Sequence, residues 1–337
     1  MNKKHAVLVI YTGGTIGMDK NPKTGLLEVA GIDQLCRYIV ELESFHHRID
    51  YQSISHQIDS SDMTPEIWEE VARIIEKRYD NYDGFVVLHG TDTMSYTASA
   101  LSFMLENLNK TVVITGSQLP MSFLRNDAYD NFITSLIIAS ESKVPEVCVY
   151  FENKLFRGNR TTKLNAENFD AFFSGNYAPL AEAGLYIHYN ETKIAKPGNG
   201  KLKIHSNFDQ NIAILKIFPG ITQNVMHNIL NIEKLRGVIL ETYGSGNAPT
   251  TPWFSKELKA AIERDIIIFN ILQCKSGRTA PTYRTGLHID GIVNGHDITG
   301  EAAITKLMFL FGQNYNTETI KQLLVTSLRG EISTDEK

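Results

Sequence analysis

Residues 7–17 read Val-Leu-Val-Ile-Tyr-Thr-Gly-Gly-Thr-Ile-Gly, and this segment gives the first indication of the fold class. Its first four residues are apolar and mostly β-branched, which predicts a strand buried on both faces. The strand runs directly into threonines and glycines. In parallel α/β sheets, ligands bind beyond the carboxyl ends of the strands. The turn at residues 12–17 is therefore predicted to lie at a ligand site.

Two further segments repeat this junction of an apolar strand with a polar turn. Phe85–Leu88 runs into His-Gly-Thr-Asp-Thr at 89–93, and Val112–Ile114 runs into Thr-Gly-Ser-Gln at 115–118. Because the carboxyl ends of parallel strands meet at one edge of a sheet, we expect the three turns to converge.

Helical segments alternate with these strands. A helix is predicted to begin at Pro65 with Thr64 as its N-cap, and another has apolar residues on one side between Met94 and Leu105. A further buried strand is predicted at Val147–Phe151. Short apolar strands separated by helices predict a doubly wound α/β fold, with a mainly parallel sheet covered on both faces.

A polar segment divides the chain into two predicted domains. Residues 191–210 include Lys-Pro-Gly-Asn-Gly and are predicted to be an interdomain connector. Residues 1–190 form the predicted N-terminal catalytic domain, and residues 211–337 form a smaller, flavodoxin-like α/β domain. In the smaller domain, strands are predicted at 212–217, 238–241 and 266–270, with helices near 222–231, 253–264, 299–312 and 316–327.

Composition excludes several classes of protein. The 337 residues are 42% hydrophobic, which supports a large core, and the net charge of -5 gives no reason to expect nucleic-acid or membrane binding. The three cysteines, Cys36, Cys148 and Cys274, are odd in number and dispersed, so neither a disulfide framework nor a zinc site is expected. The apolar run at 6–11 is too short for a signal peptide, and a cytoplasmic protein is predicted.

The predicted site is rich in hydroxyl groups. Thr15, Thr91 and Ser117 follow the three strands, and the Asp92 carboxylate lies beside them. Glycines there allow the backbone to approach a ligand and direct N–H groups at developing negative charge. The alternative is a phosphate-binding turn of a nucleotide module. However, the glycine spacing does not fit GxGxxG, and GxxxxGK[ST] is absent.

A hydroxyl is a weak nucleophile at neutral pH and needs a neighbouring base or cation. The basic segment Arg157–Lys163 is either a solvated loop or the source of one lysine directed at the hydroxyls. His89 is predicted to be a core or hydrogen-bonding residue. GxSxG and HExxH are both absent, so the sequence favours hydroxyl chemistry assisted by lysine and aspartate.

The chain resembles the bacterial-type L-asparaginases, and most closely their cytoplasmic type I branch. The motifs that carry the resemblance occur in order along most of the chain: Thr-Gly-Gly-Thr-Ile-Gly-Met (12–18), Asp-Ser-Ser-Asp-Met-Thr (59–64), His-Gly-Thr-Asp-Thr-Met (89–94), Thr-Gly-Ser-Gln-Leu-Pro (115–120), Arg-Gly-Asn-Arg-Thr-Thr-Lys (157–163) and Gly-Ser-Gly-Asn-Ala-Pro (244–249).

The resemblance implies hydrolysis of L-asparagine to L-aspartate and ammonia through a threonine acyl-enzyme, without metal or cofactor. Thr15 would be the nucleophile. Thr91, Lys163 and Asp92 would form the second catalytic group, in which Lys163 stabilises the alkoxide of Thr91 and Asp92 also holds the substrate α-ammonium. L-Glutamine is a second candidate substrate, hydrolysed more weakly, because its one extra methylene gives only about 1–3 kcal/mol of discrimination against it.

The resemblance also implies a substrate-binding set and an assembly. The substrate-binding residues would be Gly14, Asp59, Ser60, Ser61, Gly90, Ser117 and Asn247. The implied assembly is a homotetramer, a dimer of intimate dimers, in which Asn247 serves a neighbouring subunit's site. The alternative for Asn247 is an ordinary turn residue in the left-handed conformation.

The sequence departs from the family pattern at two places. The lid segment Asp19–Leu27 lacks the tyrosine that many relatives carry there, so Thr91 or a water is left to deprotonate Thr15. Thr162 and Cys274 match a regulatory asparagine site of type I enzymes, but Glu241 stands where bacterial relatives can have arginine. A carboxylate does not hold an α-carboxylate as arginine does.

Two other functions remain as alternatives. One is the amidase component of a tRNA-dependent amidotransferase, whose extra N-terminal domain is not expected here because the first core strand begins within ten residues. The other is a non-catalytic sensing module for amino acids or nucleotides. In such a module Thr15 and Thr91 would only bind ligand.

Overall fold

The computed structural model describes residues 5–32, 45, 47–280 and 284–333. The chain divides into two compact units between Ser206 and Asn207. The predicted domain bounds stay predictions, and Cys36 lies outside the described residues. No helix in the described ranges combines the length and the apolar character needed to cross a membrane.

The first unit is built on an eight-stranded sheet with the strand order β13-β12-β9-β8-β7-β5-β1-β4. Five neighbouring strands, β8, β7, β5, β1 and β4, are parallel, and an antiparallel edge continues the sheet beyond β8. The strands of this unit are β1 (Ala6–Gly13), β2 (Met18–Lys20), β3 (Leu27–Val29), β4 (Arg48–Ile58), β5 (Gly84–Leu88), β6 (Leu105–Glu106), β7 (Thr111–Thr115), β8 (Val147–Phe151), β9 (Lys154–Arg157), β10 (Thr162–Lys163), β11 (Phe172–Phe173), β12 (Ala181–Ala183), β13 (Ile187–Tyr189) and β14 (Lys203–Ile204).

Helices α1 (Pro65–Arg78), α2 (Met94–Met104) and α3 (Ala128–Glu141) cover this sheet. The residues of β1, β5 and β7 are buried throughout, as their continuous apolar runs predict. The helix predicted at Pro65 is confirmed; Thr64 is extended there, without a capping hydrogen bond from its side chain.

Several elements of the first unit were not predicted from the sequence, and β4 and α3 are the longest of them. β4 is an edge strand whose side chains are mostly half-buried or exposed, so it carries no apolar run to reveal it. α3 is largely buried and lacks a clear polar face. The pair β14–β6 lies within the first unit, although residues 203–204 belong to the predicted connector.

The second unit has a four-stranded parallel sheet with helices on both faces. One face carries Val238, Leu240 and Ile268, which pack with residues of α4 and α5, and the other face packs on α6. The elements are β15 (Ile212–Lys216), α4 (Gln223–Leu230), β16 (Gly237–Thr242), α5 (Pro252–Ile262), β17 (Ile267–Leu272), β18 (Val293–Asn294), α6 (Gly300–Gly312) and α7 (Thr317–Val325). The predicted fold class, a larger and a smaller α/β domain, is confirmed.

A buried ion pair fixes the C-terminal segment of the second unit. Lys306 on α6 lies 2.6 Å from the Glu331 carboxylate, and both side chains are fully buried. The Lys306 ammonium also donates to the carbonyls of Leu324 and Thr326, and the carboxylate accepts from two backbone N–H groups. Every strong polar group of the pair is thus satisfied, which is the condition for tolerating buried charge.

We predict that Glu331→Gln destabilises the protein by about 3–5 kcal/mol, because it leaves the Lys306 ammonium buried without a counter-charge. Burial alone would raise the pKa of Glu331, but Lys306 and the backbone N–H donors lower it below its ordinary value of 4.5. Stability from this carboxylate is therefore complete above pH 4.5 and is lost as the pH falls through the lowered pKa.

Urea unfolding at pH 7 and at pH 4 measures this effect. Glu318→Gln is the matched control, since it breaks an exposed 3.0 Å pair with Lys321 on α7 and should change little. Equal unfolding midpoints for the two variants at pH 7 would contradict the prediction.

Candidate active site

The turns after β1 and β5 touch through their glycines. β1 and β5 are parallel neighbours, so their carboxyl ends lie side by side. Gly14 has a φ of +84°, and a Cβ added to it would lie 2.3 Å from the Gly90 nitrogen. No side chain fits that gap. The glycines therefore bring the Thr15 turn against the turn that carries Thr91.

We predict that Gly14→Ala lowers catalytic activity at least about 100-fold, because the added methyl group must displace the backbone at Gly90. Gly220→Ala is the control. Gly220 also has a positive φ, +95°, but a Cβ there meets nothing within 4 Å. Steady-state rates of the two variants separate the clash from backbone strain, and equal rates would show that the close approach is unimportant.

A third turn, after β4, joins the same edge of the sheet. The Asp59 carboxylate accepts hydrogen bonds from the Ser61 backbone N–H at 2.9 Å and from its hydroxyl at 2.8 Å. A Cβ on Gly90 would lie 2.5 Å from the Ser60 hydroxyl oxygen, and the Thr93 hydroxyl donates to the Ser60 carbonyl at 2.6 Å. Ser60 thus lies against the turn that contains Thr91, and the Asp59–Ser61 hydrogen bonds hold the short turn around it.

Lys163 faces the hydroxyl group of Thr91. Its ammonium donates to Thr91 Oγ1 at 2.7 Å and to Asp92 Oδ1 at 2.7 Å. Thr91 is buried, the Lys163 side chain is 18% exposed, and that of Asp92 is 64% exposed. Lys163 lies on β10, which pairs with β11. The structure therefore favours the inward lysine over a solvated basic loop.

Gln118 completes the surroundings of the Thr91 hydroxyl, a role that the sequence reasoning missed. The Thr91 hydroxyl donates to Gln118 Oε1 at 3.3 Å. The Gln118 amide nitrogen donates to the carbonyls of Asn165 and Asn168 at 3.4 and 2.9 Å, which directs its oxygen at Thr91. The quoted Thr-Gly-Ser-Gln motif contained Gln118 but gave no signal for this role.

Asp127 holds the turn that presents Gln118, and it was also missed. Its carboxylate accepts from the backbone N–H groups of Gln118 and Leu119 at 2.9 to 3.1 Å. Burial raises the pKa of Asp127, although these N–H donors oppose the shift. The Ser117 hydroxyl is buried and donates to the Leu119 carbonyl at 2.6 Å within the same turn.

Backbone donors are available at this edge of the sheet. Within the described ranges, the N–H groups of Gly90 and Thr91 donate to no protein acceptor. Unpaired N–H groups at a strand end can bind an anionic oxygen of a ligand or of a tetrahedral intermediate. The site thus combines hydroxyls, an ammonium, a carboxylate and two backbone N–H groups without a protein acceptor in the described ranges.

His89 is buried and hydrogen-bonded through both ring nitrogens, as predicted. Nδ1 lies 2.6 Å from the Gly90 carbonyl and Nε2 lies 2.8 Å from the Thr97 hydroxyl. Burial lowers the pKa of His89 to about 4, although the hydrogen bond to Gly90 opposes the shift.

The lid segment forms the hairpin β2–β3, and Leu26 at its turn is 66% exposed. At its base, the Ala30 N–H donates to the Gly17 carbonyl at 3.0 Å, and the Tyr11 hydroxyl donates to the Ala30 carbonyl at 2.9 Å.

The remaining predicted residues divide between the two units. Thr162 is buried in the first unit, while Asn247, Glu241 and Cys274 belong to the second. Asn247 is extended, with a φ of −69°, and accepts from the Thr285 hydroxyl at 2.9 Å. The residues of its turn with positive φ are Ser245, at 58°, and Gly246, at 87°, so Asn247 adjoins a left-handed turn but is not itself left-handed.

Glu241 pairs with Lys216 at 3.2 Å, and Cys274 is exposed. In the described part of the chain, no cluster of three or more His, Cys, Asp or Glu residues has an arrangement suited to a metal ion.

The fold and the site define a class: a two-unit α/β protein whose site joins hydroxyls and a lysine at the carboxyl ends of parallel strands. Comparisons with known proteins give the family. The family model "Asparaginase, N-terminal" matches residues 6–195, and that of the "Glutaminase/Asparaginase C-terminal domain" matches residues 211–324. The chain belongs to the asparaginase family.

Individual relatives agree over the full length. The chain is 45% identical to L-asparaginase 1 of Escherichia coli K12, with 99% of this chain and 100% of the relative covered. The crystal structure of L-asparaginase I from Vibrio cholerae superposes with a TM-score of 0.90 at 40% identity, covering 98% and 100% of the two chains. The thermostable L-asparaginase of Thermococcus kodakarensis gives a TM-score of 0.91 at 30% identity, with the same coverage.

Proposed function

We propose that this protein hydrolyses L-asparagine to L-aspartate and ammonia, with Thr15 as the nucleophile. The observation that carries the proposal is the Lys163 ammonium, 2.7 Å from both the Thr91 hydroxyl and the Asp92 carboxylate, at the strand edge that also presents Thr15. Full-length similarity to L-asparaginases supports the same reaction.

The proposed first half-reaction forms an ester. Thr15 Oγ1 attacks the side-chain amide carbon, and its proton passes to Thr91 Oγ1 or to a water molecule. The negative charge on the amide oxygen is bound by backbone N–H groups such as those of Gly90 and Thr91. The C–N bond then breaks as the nitrogen takes up a proton, and ammonia leaves the aspartyl ester of Thr15.

The second half-reaction consumes water. A water molecule attacks the ester carbon, the bond to Thr15 Oγ1 breaks, and the threonine hydroxyl recovers its proton. Lys163 supports both halves, because a cation beside Thr91 Oγ1 stabilises the alkoxide that moves these protons. Gln118 accepts the Thr91 hydroxyl hydrogen when the site is at rest.

The proposed binding groups match the charges of an α-amino acid. Asp92 remains 64% exposed although it pairs with Lys163, so a substrate α-ammonium can reach its carboxylate. Asp59, Ser60 and Ser61 would hold the α-carboxylate and α-amino groups next to Gly90. Ser117 would complete the contacts through its backbone carbonyl, while the Gly14 N–H already donates to the Ile58 carbonyl at 3.1 Å and would hold the turn in place.

We further propose that the protein is cytoplasmic and homotetrameric, as the family resemblance implies, with Asn247 serving the site of a neighbouring subunit. Cys148 is a free, buried thiol, which fits a reducing compartment. Regulation through Thr162, Glu241 and Cys274 stays a prediction of the resemblance; Glu241 pairs with Lys216 at 3.2 Å, and a carboxylate does not hold an α-carboxylate as arginine does.

Initial ammonia release from L-asparagine, compared with L-glutamine at matched concentrations, tests the function. Release from asparagine that depends on Thr15 supports the proposal, and the shape of the saturation curve reports on regulation. Release only when a charged tRNA and a partner subunit are supplied would favour the amidotransferase component. Binding of asparagine without any release would favour a sensing module.

A further inference from the structure

A chain of hydrogen bonds runs from α1 to the backbone of the active-site turn. Trp68 on α1 donates its indole N–H to the Thr97 hydroxyl oxygen at 2.9 Å. Thr97, on α2, lies 2.8 Å from His89 Nε2, and His89 Nδ1 lies 2.6 Å from the Gly90 carbonyl. Thr97 and His89 are fully buried, and Trp68 is 6% exposed.

The partners fix the tautomer of the histidine. The Gly90 carbonyl has no hydrogen to give, so Nδ1 must carry the proton and donate it. The Trp68 indole only donates, and it occupies one lone pair of the Thr97 oxygen. Burial lowers the pKa of His89 to about 4, so the ring is neutral at pH 7 and carries a single proton. Because that proton is on Nδ1, Nε2 accepts a hydrogen bond from the Thr97 hydroxyl at 2.8 Å, and both nitrogens are satisfied.

The acceptor at the end of this chain belongs to the Gly90–Thr91 peptide. Because a peptide unit is planar and trans, its C=O and its N–H point in opposite directions. A donor that holds the Gly90 carbonyl therefore also directs the Thr91 N–H, which has no protein acceptor within the described ranges. It also places the Thr91 Cα, from which the hydroxyl reaches Lys163.

We propose that His89 is a positioning residue, held as the neutral Nδ1–H tautomer, which fixes the Gly90–Thr91 peptide and so sets the position of the Thr91 hydroxyl against Lys163. This inference rests on the proposed function. His89 touches neither substrate nor reacting atoms; it acts through the peptide. Trp68, Thr97 and His89 are all buried, so water cannot reach this series of hydrogen bonds and compete for the Gly90 carbonyl.

Two substitutions at His89 separate the role of its two nitrogens. In His89→Asn, the side-chain amide nitrogen occupies roughly the place of Nδ1 and can still donate to Gly90. In His89→Gln, the amide reaches toward Thr97 and the donor to Gly90 is lost. We expect kcat for ammonia release to fall about 100-fold in His89→Gln, with KM changed less than about threefold, since displacements near an ångström cost rates of this size. His89→Asn should stay within about tenfold of the wild-type kcat.

Thr97 provides a second pair that leaves the histidine in place. Thr97→Val preserves shape but removes the hydroxyl that donates to Nε2, whereas Thr97→Ser keeps it. We expect a several-fold lower kcat for Thr97→Val and nearly wild-type kcat for Thr97→Ser. Equal losses within each pair, matched by equal losses of thermal stability, would show a merely structural role and overturn the proposal.

Neutron diffraction from deuterium-exchanged crystals of the wild-type protein decides the tautomer without any variant. Deuterium on His89 Nδ1 and none on Nε2 is the expected result, and deuterium on Nε2 overturns the proposal. This readout does not depend on activity. If the wild-type protein releases no ammonia from asparagine, the proposed function fails, while the tautomer is still decided.

Discussion

Thr15→Ala should abolish ammonia release from L-asparagine, lowering kcat by at least about 10⁴-fold, because no other hydroxyl can take the place of a nucleophile that forms a covalent intermediate. Thr15 follows the glycine pair of β1, where Gly14 packs on the Gly90 backbone. The methyl side chain of alanine leaves that packing untouched. We therefore expect the variant to fold normally and still bind substrate.

Substrate binding by Thr15→Ala and the activities of two control variants show whether the lost hydroxyl is the nucleophile. Calorimetric titration of Thr15→Ala with L-asparagine should show binding without turnover, and Thr15→Ser should retain part of the activity, since it keeps a hydroxyl. Thr192→Ala removes another threonine hydroxyl, bonded to Asn190 at 2.9 Å, and should be indistinguishable from wild type. Substantial turnover by Thr15→Ala would assign the nucleophile elsewhere.

Lys163→Met should lower kcat by about 10²–10⁴-fold, the range expected when a positioned proton shuttle is lost. Methionine keeps much of the aliphatic packing but removes the ammonium that lies 2.7 Å from Thr91 Oγ1. Without it the alkoxide of Thr91 has no adjacent cation, and the Asp92 carboxylate loses its ion-pair partner. Steady-state kinetics of ammonia release measure the loss.

A double-mutant cycle tests whether the two residues act as one unit. Thr91→Val should cost about as much as Lys163→Met, and the double variant should be little worse than either, since groups that act together are strongly non-additive. Lys143→Met is the control, because it breaks an exposed 2.9 Å pair with Glu141 far from the reaction. Fully additive losses would mean that Lys163 does not act through Thr91.

The sequence predicted the buried strands whose ends carry the site, but it did not predict all the strands of the sheet that contains them. β1, β5 and β7 are continuous apolar runs, and their burial on both faces is what the pattern encodes. The edge strand β4 has partly exposed polar side chains, so it could not be recognised, although its carboxyl end carries the Asp59 turn. The motif after β4 was recognised only through its resemblance to a family.

The chemistry of individual side chains was only partly open to prediction. Sequence reasoning proposed an inward lysine but left a solvated loop as the alternative, because a basic segment contains no information about which direction each side chain takes. Gln118 and Asp127 gave no signal. Each acts through a hydrogen bond, to the Thr91 hydroxyl and to the backbone of the Gln118 turn respectively, and such bonds follow from the packed turns rather than from local composition.

The sequence by itself determined the fold class, the strand-end glycines and hydroxyls, and the family. Burial patterns and ordered motifs are local properties, so they can be recognised from the order of the residues alone. The family resemblance also implied that Lys163 acts on Thr91, 72 residues away, and the tertiary structure gave the distance between them, 2.7 Å. Tertiary structure alone decided that Gly14 packs on Gly90 and that His89 contacts the Gly90 carbonyl, next to Thr91. These contacts depend on ångström-scale distances between separate strands and turns. Residue spacing along the chain does not specify such distances; the close packing of the sheet edge does.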